Sequence, residues 1–269
     1  ARGRHAARHR RARAAGGGDG AGLDRALRHR IDLAVGALQA GDQQGSAQQA
    51  GDPYANVENV LIILDSSYSM ADRMEGNQSK MTIAKRTILE LLQRIPPNVH
   101  VGLRVYGQQS WNACHATESL VPIAPGSRLA IGSQLMNIKP TGATPISYAI
   151  QKAVMEDFRH VRGKKSIILV SDGEETCSYD PCGVVVAMLR QGVDVKINVV
   201  GYGLQNYDAE KQLKCVALAT KGKYYNANTS AQLAESLEQA LKTNKTVQAQ
   251  VLTDGQLMGR CPRPCGRWS

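Results

Sequence analysis

Aromatic side chains are scarce in this sequence. Two Trp, nine Tyr and one Phe among 269 residues exclude a core of stacked rings, so Val, Ile, Leu and Ala must fill the interior. No apolar run reaches the ~18 residues that a membrane-spanning helix requires. The G-x-x-x-x-G-K-[ST] phosphate cradle is absent, which removes the P-loop nucleotide-binding class. No C-x2-C pair occurs, which argues against a zinc framework. No internal repeat is evident. The first residue is Ala1 rather than Met and the last stretch, "GRCPRPCGRWS", has no periodic pattern, so the chain is expected to be a fragment; a recognisable signal peptide is missing from the given N-terminus.

A balanced charge is also missing, but only locally. The net charge is +10. Residues 1–30 hold nine Arg against Asp19 and Asp24, a balance of +7, whereas the remaining 239 residues carry 24 basic and 21 acidic side chains, only +3. The basicity therefore belongs to a tail. Such a tail can touch nucleic acid or anionic lipid, but no aromatic residues interleave the arginines. No nucleic-acid partner is expected, and membrane association is expected only through sequence missing from the N-terminus.

What is present falls into three segments. Residues 1–56, rich in Gly, Ala, Gln and Arg, are expected to be a disordered leader, with a short helix over "LDRALRHRIDLAVGALQ". Residues 57–243 alternate strand and helix. Residues 244–269 form a tail without periodicity. In the body, "NVLIILD" and "KKSIILVSD" are near-continuous aliphatic strands, each ending in an aspartate. "SKMTIAKRTILELLQRI" is an amphipathic helix with Ile83, Thr87, Leu91 and Ile95 on one stripe. "PISYAIQKAVMEDF" opens a helix with Pro145 in its first turn. Aliphatic strands separated by helices predict a mostly parallel α/β sheet covered on both faces. "HVGLRVYG" and "ESLVPIA" have no helix between them and are expected to form an antiparallel edge hairpin.

In such sheets ligands sit beyond the carboxyl ends of the strands, where Asp65 and Asp172 lie. Asp65, Ser67 and Ser69 follow at every second position, and alternate residues of an extended segment point the same way. Thr144 in the Gly-rich turn "TGATP" and Asp172 in "SDGEE" supply further oxygens. Carboxylate and hydroxyl oxygens are hard donors that suit Mg²⁺ or Mn²⁺ rather than zinc.

"DSSYS", "TGATP" and "SDGEE", in this order and on these elements, resemble the metal-ion-dependent adhesion site of von Willebrand factor type A domains. The resemblance covers roughly residues 57–243, and all five ligand positions are matched. "HVGLRVYG", "CHATESLVPI", "TPISYAI", "SDGEETCSYDPC" and "LKCVALAT" further resemble a bacterial branch of secreted or surface-bound members. The resemblance implies a Rossmann-like, three-layer α/β/α fold with about six strands, one of them an antiparallel edge strand. It implies that Ser67 and Ser69 bind the metal directly, and that Thr144, Asp65 and Asp172 bind directly or through water. An open metal position would then accept a carboxylate from a partner protein.

Enzymatic readings fit less well. Phosphotransferases with an Asp nucleophile after a buried strand place an acid two positions on, where this chain has Ser67. His115 is a lone histidine, "VVGYGL" lacks a third glycine at dinucleotide spacing, and Glu174 and Glu175 read as solvated loop carboxylates. Cys177 and Cys182 bracket the turn-forming "SYDP" and can close a small loop, leaving Cys114 and Cys215 as a second pair, or the two pairs can exchange partners. With the family resemblance, these cysteines favour an oxidising, extracellular, cell-surface or periplasmic location. The alternative is an intracellular assembly or chaperone factor working beside an ATPase partner.

Overall fold

The computed structural model describes residue 54 and residues 56–109 and 113–242. The expected leader helix and the 244–269 tail lie outside the described residues.

The fold grows from one strand that has no exposed face. In β1, Glu58–Asp65, every residue from Val60 to Leu64 is completely buried. Such a strand needs apolar cover on both sides, and its pleat divides the cover in two. Val60, Ile62 and Leu64 join one core, and Leu61 and Ile63 join the other. Each such side chain contributes about 1.5–3 kcal/mol when removed from water.

Six strands form a single sheet in the order β3-β2-β1-β4-β5-β6. They are β2 (Val99–Tyr106), β3 (Thr117–Ala124), β4 (Lys164–Ser171), β5 (Lys196–Tyr202) and β6 (Tyr224–Ala227) beside β1. Every pairing is parallel except β2 with β3. The helices are α1 (Lys80–Arg94), α2 (Arg128–Asn137), α3 (Ile146–Lys152), α4 (Pro181–Arg190), α5 (Tyr207–Ala219) and α6 (residues 230–242). Residues of α1, α2 and α6 fill the first core, and residues of α3, α4 and α5 the second. The result is the three-layer α/β/α arrangement with one antiparallel edge strand. The stripe on α1 is buried as its period predicts: Ile83, Thr87, Leu91 and Ile95 are all inside. Among the described residues no helix is long and apolar enough to cross a membrane.

The edges are short or interrupted. β3 pairs with β2 through register shifts and carries the exposed Pro122. Gly102 lets β3 approach, since a Cβ there would lie 2.7 Å from Ile123 Cγ1. β6 has four residues.

Two polar features were not visible in the hydrophobic pattern. Asn198, fully buried on β5, donates to the Ala240 carbonyl at 2.9 Å and pins α6 to the sheet. α3 does not continue as a regular helix. It widens into a π turn over Ala153–Asp157, which turns consecutive acids toward one guanidinium. Arg104 on β2 is 1% exposed, and its Nε donates to Asp157 Oδ2 at 2.6 Å and its Nη2 to Glu156 Oε2 at 2.9 Å. The Asp157 side chain is 3% exposed and that of Glu156 is 48% exposed, so the two pairs differ in worth. Asp157→Ala leaves a buried cation half-satisfied and should cost about 3–5 kcal/mol. Glu156→Ala should cost no more than ~1 kcal/mol. Urea unfolding of the two variants beside the wild type checks the ranking, and equal losses would contradict it.

Candidate metal centre

The two strands that lead to the aspartates are neighbours, with Leu64 level with Val170, and Asp172 follows the last residue of β4. Their chains then diverge toward opposite layers, which leaves a crevice at their carboxyl ends. Asp65, the last residue of β1, has no solvent exposure. A carboxylate there is tolerated only if donors surround it, and three do. Its Oδ1 accepts from the Ser67 N–H at 2.8 Å. Its Oδ2 lies 2.8 Å from both the Tyr106 phenol at the end of β2 and the Ser171 hydroxyl at the end of β4. Burial first, and then the neighbouring Asp172 charge, push the Asp65 carboxyl up to about 6 against these hydrogen bonds. Burial and the Asp65 charge push the Tyr106 phenol well above its ordinary range, so it remains a donor.

Two of the alternating oxygens meet, and they are the serine hydroxyls. Ser67 Oγ and Ser69 Oγ are 3.1 Å apart, and Ser69 Oγ donates to Asp172 Oδ1 at 2.7 Å. The serines lie where the chain leaves β1 and tightens into a 3-10 turn over Tyr68–Ala71. Asp172 is 5% exposed, and its other oxygen takes the Lys80 ammonium at 2.8 Å.

The Thr144 turn is stitched to the same loop through its backbone. Ser67 forms a parallel bridge with Gly142, Tyr68 N–H donates to the Gly142 carbonyl at 3.0 Å, and Gly142 N–H donates to the Gly107 carbonyl at 2.6 Å. Only glycine fits this crossing. A Cβ on Gly142 would lie 2.5 Å from the Gln109 carbonyl, and one on Gly107, at φ +78°, would lie 2.7 Å from Ser67 N. Thr144 is buried, and its N–H donates to Thr176 Oγ1 at 2.8 Å, which ties it to the loop after β4. That loop is held from within by Glu175, which accepts from Ser147 N–H at 2.8 Å and Cys177 N–H at 3.0 Å. Glu175 is therefore not the solvated carboxylate its loop position suggests. It is buried, and burial pushes its carboxyl above the ordinary range. Glu174 is exposed and accepts from Asn206. His115 is exposed and meets Tyr148 edge-on at 4.7 Å.

The cysteines take the exchanged pairing. Cys114 joins Cys177 with Cα atoms 5.4 Å apart, and Cys182 joins Cys215 at 5.5 Å. The small loop between Cys177 and Cys182 does not close on itself, because Cys182 lies in the first turn of α4 and faces α5, while Cys177 turns to the loop between β2 and β3. Two loops beside the aspartates are thus covalently tied together.

The donor set fits a hard divalent cation. It consists of hydroxyls and two carboxylates, and among the described residues no group of three His, Cys, Asp or Glu side chains converges as a metal cage. Three residues at the site were not foreseen as members. Tyr106 and Ser171 looked like ordinary strand ends. Lys80 looked like an ordinary helix start, although a cation in a first turn that holds no acid is an unfavourable placement and therefore a signal.

The model of the von Willebrand factor type A domain matches residues 59–240. The chain belongs to this family. The uncharacterized protein YwmD of Bacillus subtilis (strain 168) is 30% identical over 190 residues, which cover 67% of this chain and 83% of that protein. The type A domain of the type V pili tip protein Mfa5 from Porphyromonas gingivalis superposes with a TM-score of 0.57 at 14% identity, covering 72% of this chain and 97% of that one. Proximal thread matrix protein 1 from the mussel byssus, with a zinc-occupied MIDAS motif, superposes with a TM-score of 0.56 at 17% identity, covering 71% of this chain and 46% of that one. Type A domains are commonly protein-interaction modules.

Non-reducing peptide mapping should recover one peptide pair linking residues 114 and 177 and one linking 182 and 215. A peptide closed between 177 and 182 would contradict the fold. The Cys114–Cys177 bridge closes a sequence separation of 63 residues, and replacing both cysteines by serine should lower stability by about 4 kcal/mol.

Proposed function

We propose that this type A domain is a metal-dependent protein-binding module rather than an enzyme. The cation is Mg²⁺ or Mn²⁺, held directly by Ser67 and Ser69 and directly or through water by Thr144, Asp65 and Asp172. The observation that carries this reading is the convergence of Ser67, Ser69 and Asp172 hydrogen-bonding atoms at adjacent strand ends. When bound, the ion supplies a Lewis-acidic position for one outside oxygen. Hydroxyl ligands bring no charge of their own, so a carboxylate from another protein gains a charge-assisted contact there. Selectivity belongs to the loops around it, residues 66–76, 108–115, 141–145 and 173–181. The module spans residues 57–243, with the leader 1–56 and the tail 244–269 outside it.

Two disulfide pairs favour an extracellular, cell-surface or periplasmic location over a cytosolic assembly factor with an ATPase partner. Type A folds in a pilus tip protein and a byssal matrix protein are in keeping with a surface role. Against an enzyme, the site residues include no pair of nucleophile and base.

Calorimetric titration of Mg²⁺, Mn²⁺ and Zn²⁺ should give tighter binding of the first two than of zinc. The signal for Mg²⁺ and Mn²⁺ should disappear in the double variant Ser67→Ala, Ser69→Ala. Unchanged binding in that variant would overturn the ligand assignment. A pull-down from the native envelope should retain its partner with Mg²⁺ and lose it with chelator or with Thr144→Ala. Equal retention under all three conditions would place recognition elsewhere. Metal-dependent turnover of a phosphate ester, abolished by Asp65→Asn, would make the chain an enzyme.

A further inference from the structure

The metal centre contains a cation that belongs to the chain. Lys80 is 7% exposed, and its Nζ lies 2.8 Å from Asp172 Oδ2. Its position in the first turn of α1 works against it. The helix dipole disfavours a positive charge there, and no acidic residue of that turn compensates. Burial disfavours the charge as well. Asp172 is what offsets both, so the ammonium is committed to that carboxylate.

The surroundings hold the pair in place. Gly203 lies against the lysine stem at φ +64°, where a Cβ would come 3.1 Å from both Lys80 Cε and Met74 Sδ. The Lys80 N–H donates to the Asp72 carbonyl at 2.9 Å, which anchors the backbone end to the loop that follows the two serines. The two oxygens of Asp172 are divided by function. Oδ1 faces Ser69, and Oδ2 is occupied by Lys80. The ammonium therefore holds the oxygen that Ser69 does not, and a metal ion at Oδ1 need not displace it.

We propose that Lys80 is a permanent counter-cation of the metal centre, setting the charge that the bound ion presents to an anionic ligand. The inference rests on the ligand set given above and deepens it. Two carboxylates bring two negative charges, and Lys80 cancels one of them. A divalent ion then leaves the centre with one net positive charge, which an incoming carboxylate neutralises. Without Lys80 the same ion would be neutralised by the two aspartates alone, and an arriving carboxylate would meet a neutral centre. In a poorly screened site such a difference acts strongly and with opposite sign on the two binding steps. Lys80 weakens the hold on the metal and strengthens the hold of the metal on its ligand. A lysine that merely filled space or braced α1 would not couple the two steps in this way.

The test titrates Mn²⁺ into the wild type and into Lys80→Met, Lys80→Gln and Lys80→Arg. Acetate is then titrated into each Mn²⁺-saturated protein, with water-proton relaxation reporting ligand entry. The Met and Gln variants should bind Mn²⁺ about tenfold tighter or more, and acetate about tenfold more weakly. The Arg variant, which keeps the charge, should stay within about threefold of the wild type in both steps. Equal or weaker Mn²⁺ binding by the folded neutral variants, with wild-type binding still lost in Ser67→Ala, Ser69→Ala, overturns the role of Lys80 and leaves the metal centre standing. Absence of Mn²⁺ binding by the wild type removes both. Should the neutral variants fail to fold, the ammonium resonance of Lys80 in the wild type decides. A slowly exchanging signal that persists on adding Mg²⁺ supports a resident counter-cation, and its conversion to an exposed lysine signal overturns it.

Discussion

A carboxylate with no access to water sits at the end of the central strand, and the arrangement of everything above the sheet follows from satisfying it. Asp65 draws its donors from three places: the loop it begins, the end of β2 and the end of β4. Those contacts fix the ends of three adjacent strands relative to one another. The Ser67 N–H is one of them, so the geometry that satisfies Asp65 also sets the direction in which Ser67 and Ser69 leave the strand. Loss of these donors would release a buried charge and the orientation of the serines together.

Above this base the loops are fastened to each other rather than left to solvent. Glycines at 107 and 142 permit backbone to cross backbone. Glu175 gathers the start of α3 and the Cys177 backbone, and a disulfide fastens the loop between β2 and β3 to the loop after β4. Among the described residues these loops are thus held by ties distant in sequence, and preorganisation of that kind raises the affinity of a site without adding contacts.

The architecture was legible because it rests on patterns of period. Uninterrupted aliphatic strands could only be central and parallel, and the Ile83, Thr87, Leu91 and Ile95 stripe could only face a core. Ser67 and Ser69 lie close together, as strand geometry that repeats every second residue suggests. What escaped was everything that depends on partners distant in sequence. Glu175 was read from its neighbours as solvated, whereas its true neighbours are the backbones of Ser147 and Cys177. Lys80 finds its partner 92 positions away. The four cysteines were legible as two pairs, but the choice of the exchanged pairing followed helix orientation, since Cys182 on α4 faces α5. The π turn after α3 was hidden for the same reason: nothing local to Ala153–Asp157 announces the buried guanidinium of Arg104 that it serves.

The margins of the sheet carry a consequence of a different sort. One margin is a strand with shifted register and an exposed proline, which offers no N–H at that point. The other is four residues long. Neither presents an extended row of open donors and acceptors, which is the template on which strands of separate molecules polymerise. Crowding many copies side by side therefore gives this sheet little opportunity to zip into fibres through its margins.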